Sequence, residues 1–162
     1  MRIKLTRTEF PLLIFSILLP HLVGTVGALF TFPSIASWYM LLEKPSFTPP
    51  DWLFGPVWST LYVLMGISLF LVVRHAIKGS SIRAVQLFFL QLFLNLLWSI
   101  VFFGSHSIGG GLVVIITMWF LIVLTILKFA KISQTASLLL LPYLAWVTFA
   151  TYLNFAIFML NS

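Results

Sequence analysis

The chain has 162 residues, 61% hydrophobic and only 7% charged, with a formal net charge of +6 at pH 7. A soluble domain needs about 25% charged residues to cover its surface, so these proportions exclude a water-soluble globule and leave one integral membrane domain, with no length for a second. Cysteine is absent, which removes disulfides, thiolate nucleophiles and Cys-ligated metals. The positive charge is spread as topology would require, so nucleic acid is not an expected partner.

Five runs reach the roughly 17–25 apolar residues that a spanning helix needs. The first, 10–32, follows the basic segment MRIKLTR and contains Pro11 and Pro20. A secretory leader has a similar plan, and Ser34, Ile35 and Ala36 are small enough for a cleavage site. Its apolar stretch is about 7–15 residues, however, and the longer run here predicts a retained helix. Next comes a connection over 34–55 with rings at Trp38, Tyr39, Phe47, Trp52 and Phe54 and prolines at 45, 49 and 50. Proline fixes φ and steers the preceding residue away from helix. The segment therefore reads as a stiff lid over the outer mouth of a bundle, or as a loop lying in the headgroup layer.

The second helix, 56–76, opens with Trp58 and Tyr62. The third, 84–103, carries Gln91, Asn95, Trp98 and Phe102. The fourth, 108–127, starts on the glycines at 109, 110 and 111, and the fifth, 137–160, carries Trp146, Ala150 and Asn154. None of these runs alternates as barrel strands do. The expected fold class is all-α, a single five-helix transmembrane domain over 1–162.

Lys and Arg set the orientation. Arg2, Lys4 and Arg7 precede the first helix, Arg74, Lys78 and Arg83 surround the second connection, and Lys128 and Lys131 follow the fourth helix; of the 9 basic residues only Lys44 lies on the other side. Cytoplasmic loops are enriched in such residues. The amino terminus is therefore predicted cytoplasmic, in a bacterial or archaeal plasma membrane or an organellar one.

Polar side chains in hydrocarbon face a bundle's interior. Gln91 and Asn95 share one face with Trp98; Trp146, Ala150 and Asn154 share another; Trp58 and Tyr62 are a turn apart. Amides in such places commonly bond helix to helix. The same three stripes, converging around a slot, would suit a flat and mostly apolar ligand, with the small Ala150 leaving room at its centre. His21, His75 and His106 form no i,i+4 pair, so no metal site and no resident cofactor are expected. No carboxylate falls inside a span, which argues against a proton relay of the usual kind.

The block WYMLLEKPSFTPPDWLFGPVW at 38–58 closely resembles the signature of the translocator protein family, the tryptophan-rich sensory proteins or peripheral-type benzodiazepine receptors. QLFLNLLWS at 91–99 and PYLAWVTFATYLN at 142–154 resemble that family's third and fifth helices. The resemblance implies a cavity beneath the first connection that binds tetrapyrroles such as protoporphyrin IX or haem. It also implies a homodimer in many relatives, and places Tyr39, Trp58, Gln91, Asn95, Trp146 and Ala150 at ligand-contacting positions. Trp52, Tyr62, Trp98 and Asn154 join this set from the stripes and the lid. A sensor, a carrier or a scavenger of tetrapyrrole fits these residues. A light-dependent porphyrin-degrading enzyme using Trp58 and Trp146, or a small-molecule transporter, stays open. No basic residue follows Tyr152, which speaks against sterol. The small-residue spacing that relatives use for pairing is missing from the third helix; Gly24 and Ala28 offer such a face on the first.

Overall fold

The computed structural model describes residues 6, 7, 9–75 and 81–162. Arg2, Lys4 and Lys78, and the last residue expected of the second helix, lie outside them. The described residues form helices and no strands. α1 (Phe10–Ser34) runs on through a π-turn at Ile35–Tyr39. A 3-10 turn, Asp51–Leu53, leads into α2 (Phe54–Arg74). α3 (Ser81–Ser99) also ends in a π-turn, Ile100–Gly104, and is followed by α4 (Ile108–Ala130). The last span is α5 (Gln134–Leu139) and α6 (Leu141–Asn161). Five segments are long and apolar enough to cross a membrane.

Local chemistry accounts for the boundaries. Ser107 and Ser133 cap α4 and α5, accepting from the Gly110 and Ala136 N–H groups, as N-cap hydroxyls do. Pro11 and Pro142 occupy the first turns of α1 and α6, where a missing N–H costs nothing. Pro142 is also why the fifth span breaks at Leu140 rather than running through. The first span extends seven residues beyond 32, to Tyr39, with Pro33 inside it; on either side of that proline Thr31 Oγ1 donates to Gly27 O and Ser37 Oγ to Pro33 O.

The helices form a ring in the order α1, α2, α6, α4, α3, with α5 wedged between α2 and α4. At the end bearing Arg74, Arg83 and Lys128 the ring is closed. Met65, Val72, Phe88, Phe129 and Tyr143 are buried there, and Phe88 stacks on Phe129 at 5.9 Å. Ser68 Oγ donates to Ala136 O across the α2–α5 seam at 2.7 Å. Lipid tails are as apolar as Leu, so such seams hold by close packing and interhelical hydrogen bonds. Gly66 makes the closest approach: a Cβ on it would stand 2.5 Å from Ile17 Cα and 2.7 Å from Ser16 O. Pro20 cannot donate to that Ser16 carbonyl, and Gly66 lets α2 settle against the turn so exposed.

At the same end Arg74 Nε pairs with Glu9 Oε1 at 2.7 Å, and the Thr6 N–H donates to Glu9 Oε2 at 2.9 Å. The Thr6 hydrogen bonding first, then the Arg74 charge, holds the Glu9 carboxyl below its usual range. Phe15, Leu22, Leu29, Phe93 and Phe120 point outward and are exposed, as a lipid-facing surface requires.

Candidate functional site: a ring-lined cavity under the first connection

Toward the opposite end the helices separate around a cavity of about 380 Å³. α2 and α6 barely touch, and the space is walled by α1, α2, α3 and α6 and roofed by the first connection. α1 contributes His21, Gly24 and Ala28; α2 contributes Trp58 and Tyr62. From α3 come Asn95, Trp98 and Phe102, from α6 Ala150 and Asn154, and Tyr39 descends from the roof.

The rings on this wall are ordered in pairs. Trp58 stacks on Tyr62 at 5.4 Å with 29° between planes, and Trp98 on Phe102 at 5.3 Å with 17°. Most of the amides bond helix to helix. Tyr62 Oη donates to Asn95 Oδ1 at 3.1 Å, Asn95 Nδ2 to Tyr143 Oη at 3.4 Å, and Tyr143 Oη to Gln91 Oε1 at 2.8 Å. Trp98 Nε1–H donates to Asn154 Oδ1 at 3.1 Å, while Asn154 Nδ2 reaches Ile108 O at 3.2 Å. These bonds tether Tyr62 and Trp98 to the neighbouring helices.

Seven of the sequence-derived candidates therefore meet at one cavity: Tyr39, Trp58, Tyr62, Asn95, Trp98, Ala150 and Asn154. Three are elsewhere. Trp52 sits on the 3-10 turn and is 71% exposed, an interfacial ring rather than a wall. Gln91 is 1% exposed, beneath the cavity floor on the Tyr143 network. Trp146 lies behind the wall, edge-on to Phe54 at 5.7 Å. A step of four residues turns a helix by about 400° and climbs about 6 Å, so Trp146 is about 80° round from Asn154, toward α2. Gln91 Nε2 and Trp146 Nε1 are buried without a hydrogen-bond partner among the described residues. The wall also includes residues the stripes did not predict, among them Ser99, Leu153 and Ile157. Gly24 and Ala28 face inward, and a Cβ on Gly24 would meet Tyr62 Cε2 at 2.1 Å. A homodimer would have to use another face.

Fixed contacts hold the roof. Lys44 Nζ donates to Tyr39 O at 2.8 Å and lies 4.7 Å from the Tyr39 ring centre. The Glu43 N–H and C=O are clamped by the Asn161 amide at 3.0 and 2.9 Å. Phe47 stacks on Tyr152 at 5.2 Å, on the flank of α6 rather than over the space. Ser34 Oγ donates to Phe103 O at 2.7 Å, and Trp38 stacks on His106 at 4.6 Å. His106 holds a φ of 52°, a conformation that costs of order 1–3 kcal/mol and persists when its surroundings impose it. Thr25 and Phe32 of α1, with Gly55 and Ser59 of α2, line the cavity yet remain exposed. The space thus opens sideways between α1 and α2.

A five-helix membrane bundle, its first connection roofing a cavity of paired rings, defines a class of integral membrane proteins. Residues 16–160 match the TspO/MBR family, and the chain belongs to that family. It is 53% identical over 141 residues to the Tryptophan-rich protein TspO of Chlorobaculum tepidum, covering 86% of this chain and 89% of the relative. The TspO of Archaeoglobus fulgidus is 49% identical over 150 residues, 93% of this chain and 97% of its own. The Translocator protein of Homo sapiens is 38% identical over 143 residues, 86% and 84% respectively.

Proposed function

We propose that the cavity binds a planar, mostly apolar ligand of the tetrapyrrole class, protoporphyrin IX or haem, and that the protein acts as its sensor, carrier or scavenger. One observation carries this reading. Two stacked ring pairs, Trp58 with Tyr62 and Trp98 with Phe102, line a single space from two different helical segments, and its volume falls among those that take small molecules. Offset stacking on such rings stabilises a flat guest by about 0.5–1.5 kcal/mol per pair beyond its area burial. Titration of the detergent-purified protein with protoporphyrin IX should quench Trp fluorescence saturably. Trp58→Ala should weaken binding about tenfold, a loss of about 1.4 kcal/mol, while Trp52→Ala should leave it unchanged. No saturable quenching, or equal losses in both variants, would overturn the reading.

Light-driven degradation by Trp58 and Trp146 together is less well supported, since one indole is on the wall and the other behind it. We further propose that the Arg74 end faces the cytoplasm of a bacterial or archaeal cell, on the charge asymmetry of the sequence. A periplasmic-type reporter fused after Ser162 should then be active.

A further inference from the structure

We propose that His21 is an axial ligand, through Nε2, for a metal ion held at the centre of a planar macrocycle in this cavity, so that the site favours a metallated tetrapyrrole over the metal-free ring. The proposal rests on the tetrapyrrole reading above and specifies which form the site selects.

His21 lies on the cavity wall, half-buried, one residue past Pro20. Its Nδ1 stands 2.9 Å from the carbonyl oxygen of Ile17. A carbonyl only accepts, so Nδ1 carries a proton, and in the neutral ring Nε2 then holds the lone pair. A backbone carbonyl on one ring nitrogen is the arrangement that fixes tautomer and orientation in metal-binding imidazoles, leaving the other nitrogen to ligate. The Tyr62 ring meets the imidazole edge-on at 5.7 Å and steadies it further. Nε2 makes no hydrogen bond within the described residues.

The other histidines are differently employed. His75 bonds Leu71 O in the same manner at 2.6 Å but at the Arg74 end, away from the cavity. His106 is stacked on Trp38 and lies 3.4 Å from Ser34 Oγ. Only His21 brings an imidazole to the space.

Ligand counting then selects the guest. Among the described residues no group of three or more His, Cys, Asp or Glu could hold an ion. A bare transition metal, which needs four or more donors, has no site here. A macrocycle supplies four nitrogens in its plane and asks the protein for one more, the role a proximal histidine plays toward haem iron. A single oriented imidazole in an aromatic slot fits that requirement and no simpler metal species.

The test compares ferric haem with metal-free protoporphyrin IX on the full-length protein in detergent. Wild type should bind haem with the absorption and electron-paramagnetic signature of histidine-ligated iron. His21→Gln and His21→Gly should lose that signature and about 10–100-fold in haem affinity, with a clearly smaller loss in protoporphyrin affinity from the missing wall ring; free imidazole should restore the signature in His21→Gly. Two variants guard against one that fails to fold. Equal losses for both ligands, or a variant spectrum identical to wild type, would overturn the assignment and leave His21 as wall. If wild type binds neither ligand, the tetrapyrrole reading itself fails.

Discussion

The two ends of this bundle solve the same packing problem differently. At the Arg74 end, α1 and α2 meet main chain to main chain at Gly66, and the helices close over a buried apolar core. At the other end the same helices meet through Gly24 and the Tyr62 ring, and beyond that contact they part around the cavity. A backbone contact cannot yield without moving a helix, whereas a ring can swing. Stability is thereby concentrated at one end and adaptability at the other.

The largest effect should come from breaking the closed end. Gly66→Ala places a methyl 2.5 Å from Ile17 Cα, and overpacking of this kind costs about 1–3 kcal/mol or more. Thermal or SDS unfolding should show a large drop, with ligand affinity of the remaining folded protein near normal. Gly24→Ala should do the reverse. Its methyl, 2.1 Å from Tyr62 Cε2, displaces the ring into the cavity and breaks the Tyr62–Asn95 bond. Porphyrin affinity should fall about tenfold, equivalent to about 1.4 kcal/mol, while stability should fall by no more than the roughly 0.6–1.7 kcal/mol of one interhelical bond. If both variants lose affinity and stability in proportion, the two ends are not separable.

Smaller tests sharpen the contrast. Ser68→Ala removes the bond to Ala136 O and should cost about 0.6–1.7 kcal/mol of stability without touching affinity, in line with hydrogen bonds between membrane helices. The smallest effect is expected at Glu9. Its carboxyl is held below the usual range in the folded protein, so the unfolded chain takes up the proton first. The Glu9–Arg74 contribution is fully present above the ordinary carboxylate range and is lost as pH falls through the folded value. Between neutral and acid pH, wild type should lose slightly more thermal stability than Glu9→Gln, and porphyrin binding should not respond to the substitution.

The five helices were legible in the sequence because long apolar runs leave few alternatives. Their ends were less so: Pro33 reads as a stop yet sits inside α1, and the break at Leu140 depends on how Pro142 packs. Within the site, Trp58, Tyr62, Asn95, Trp98, Ala150 and Asn154 followed from period and residue type. Trp146 has the right type and the right step, but a step of four drifts by about 40° each time, and the two steps to Asn154 carry its side chain off the wall; Gln91 keeps the face of Asn95 and Trp98 but lies a turn deeper, beneath the floor on the Tyr143 network. Trp52 looked like lid and is surface, since the turn that points it outward has no clear sequence signal. His21 was visible as a residue, but its orientation depends on a carbonyl four residues back, which no spacing rule reports.

The sideways gap between α1 and α2, edged by Phe32 and Ser59, carries a consequence for dosage. A guest using it must first dissolve in the bilayer, so occupancy follows its mole fraction among the lipids rather than its aqueous concentration. Apparent affinities should weaken as lipid is added at fixed protein and guest, and a detergent tail slim enough to enter the gap would act as a competitor.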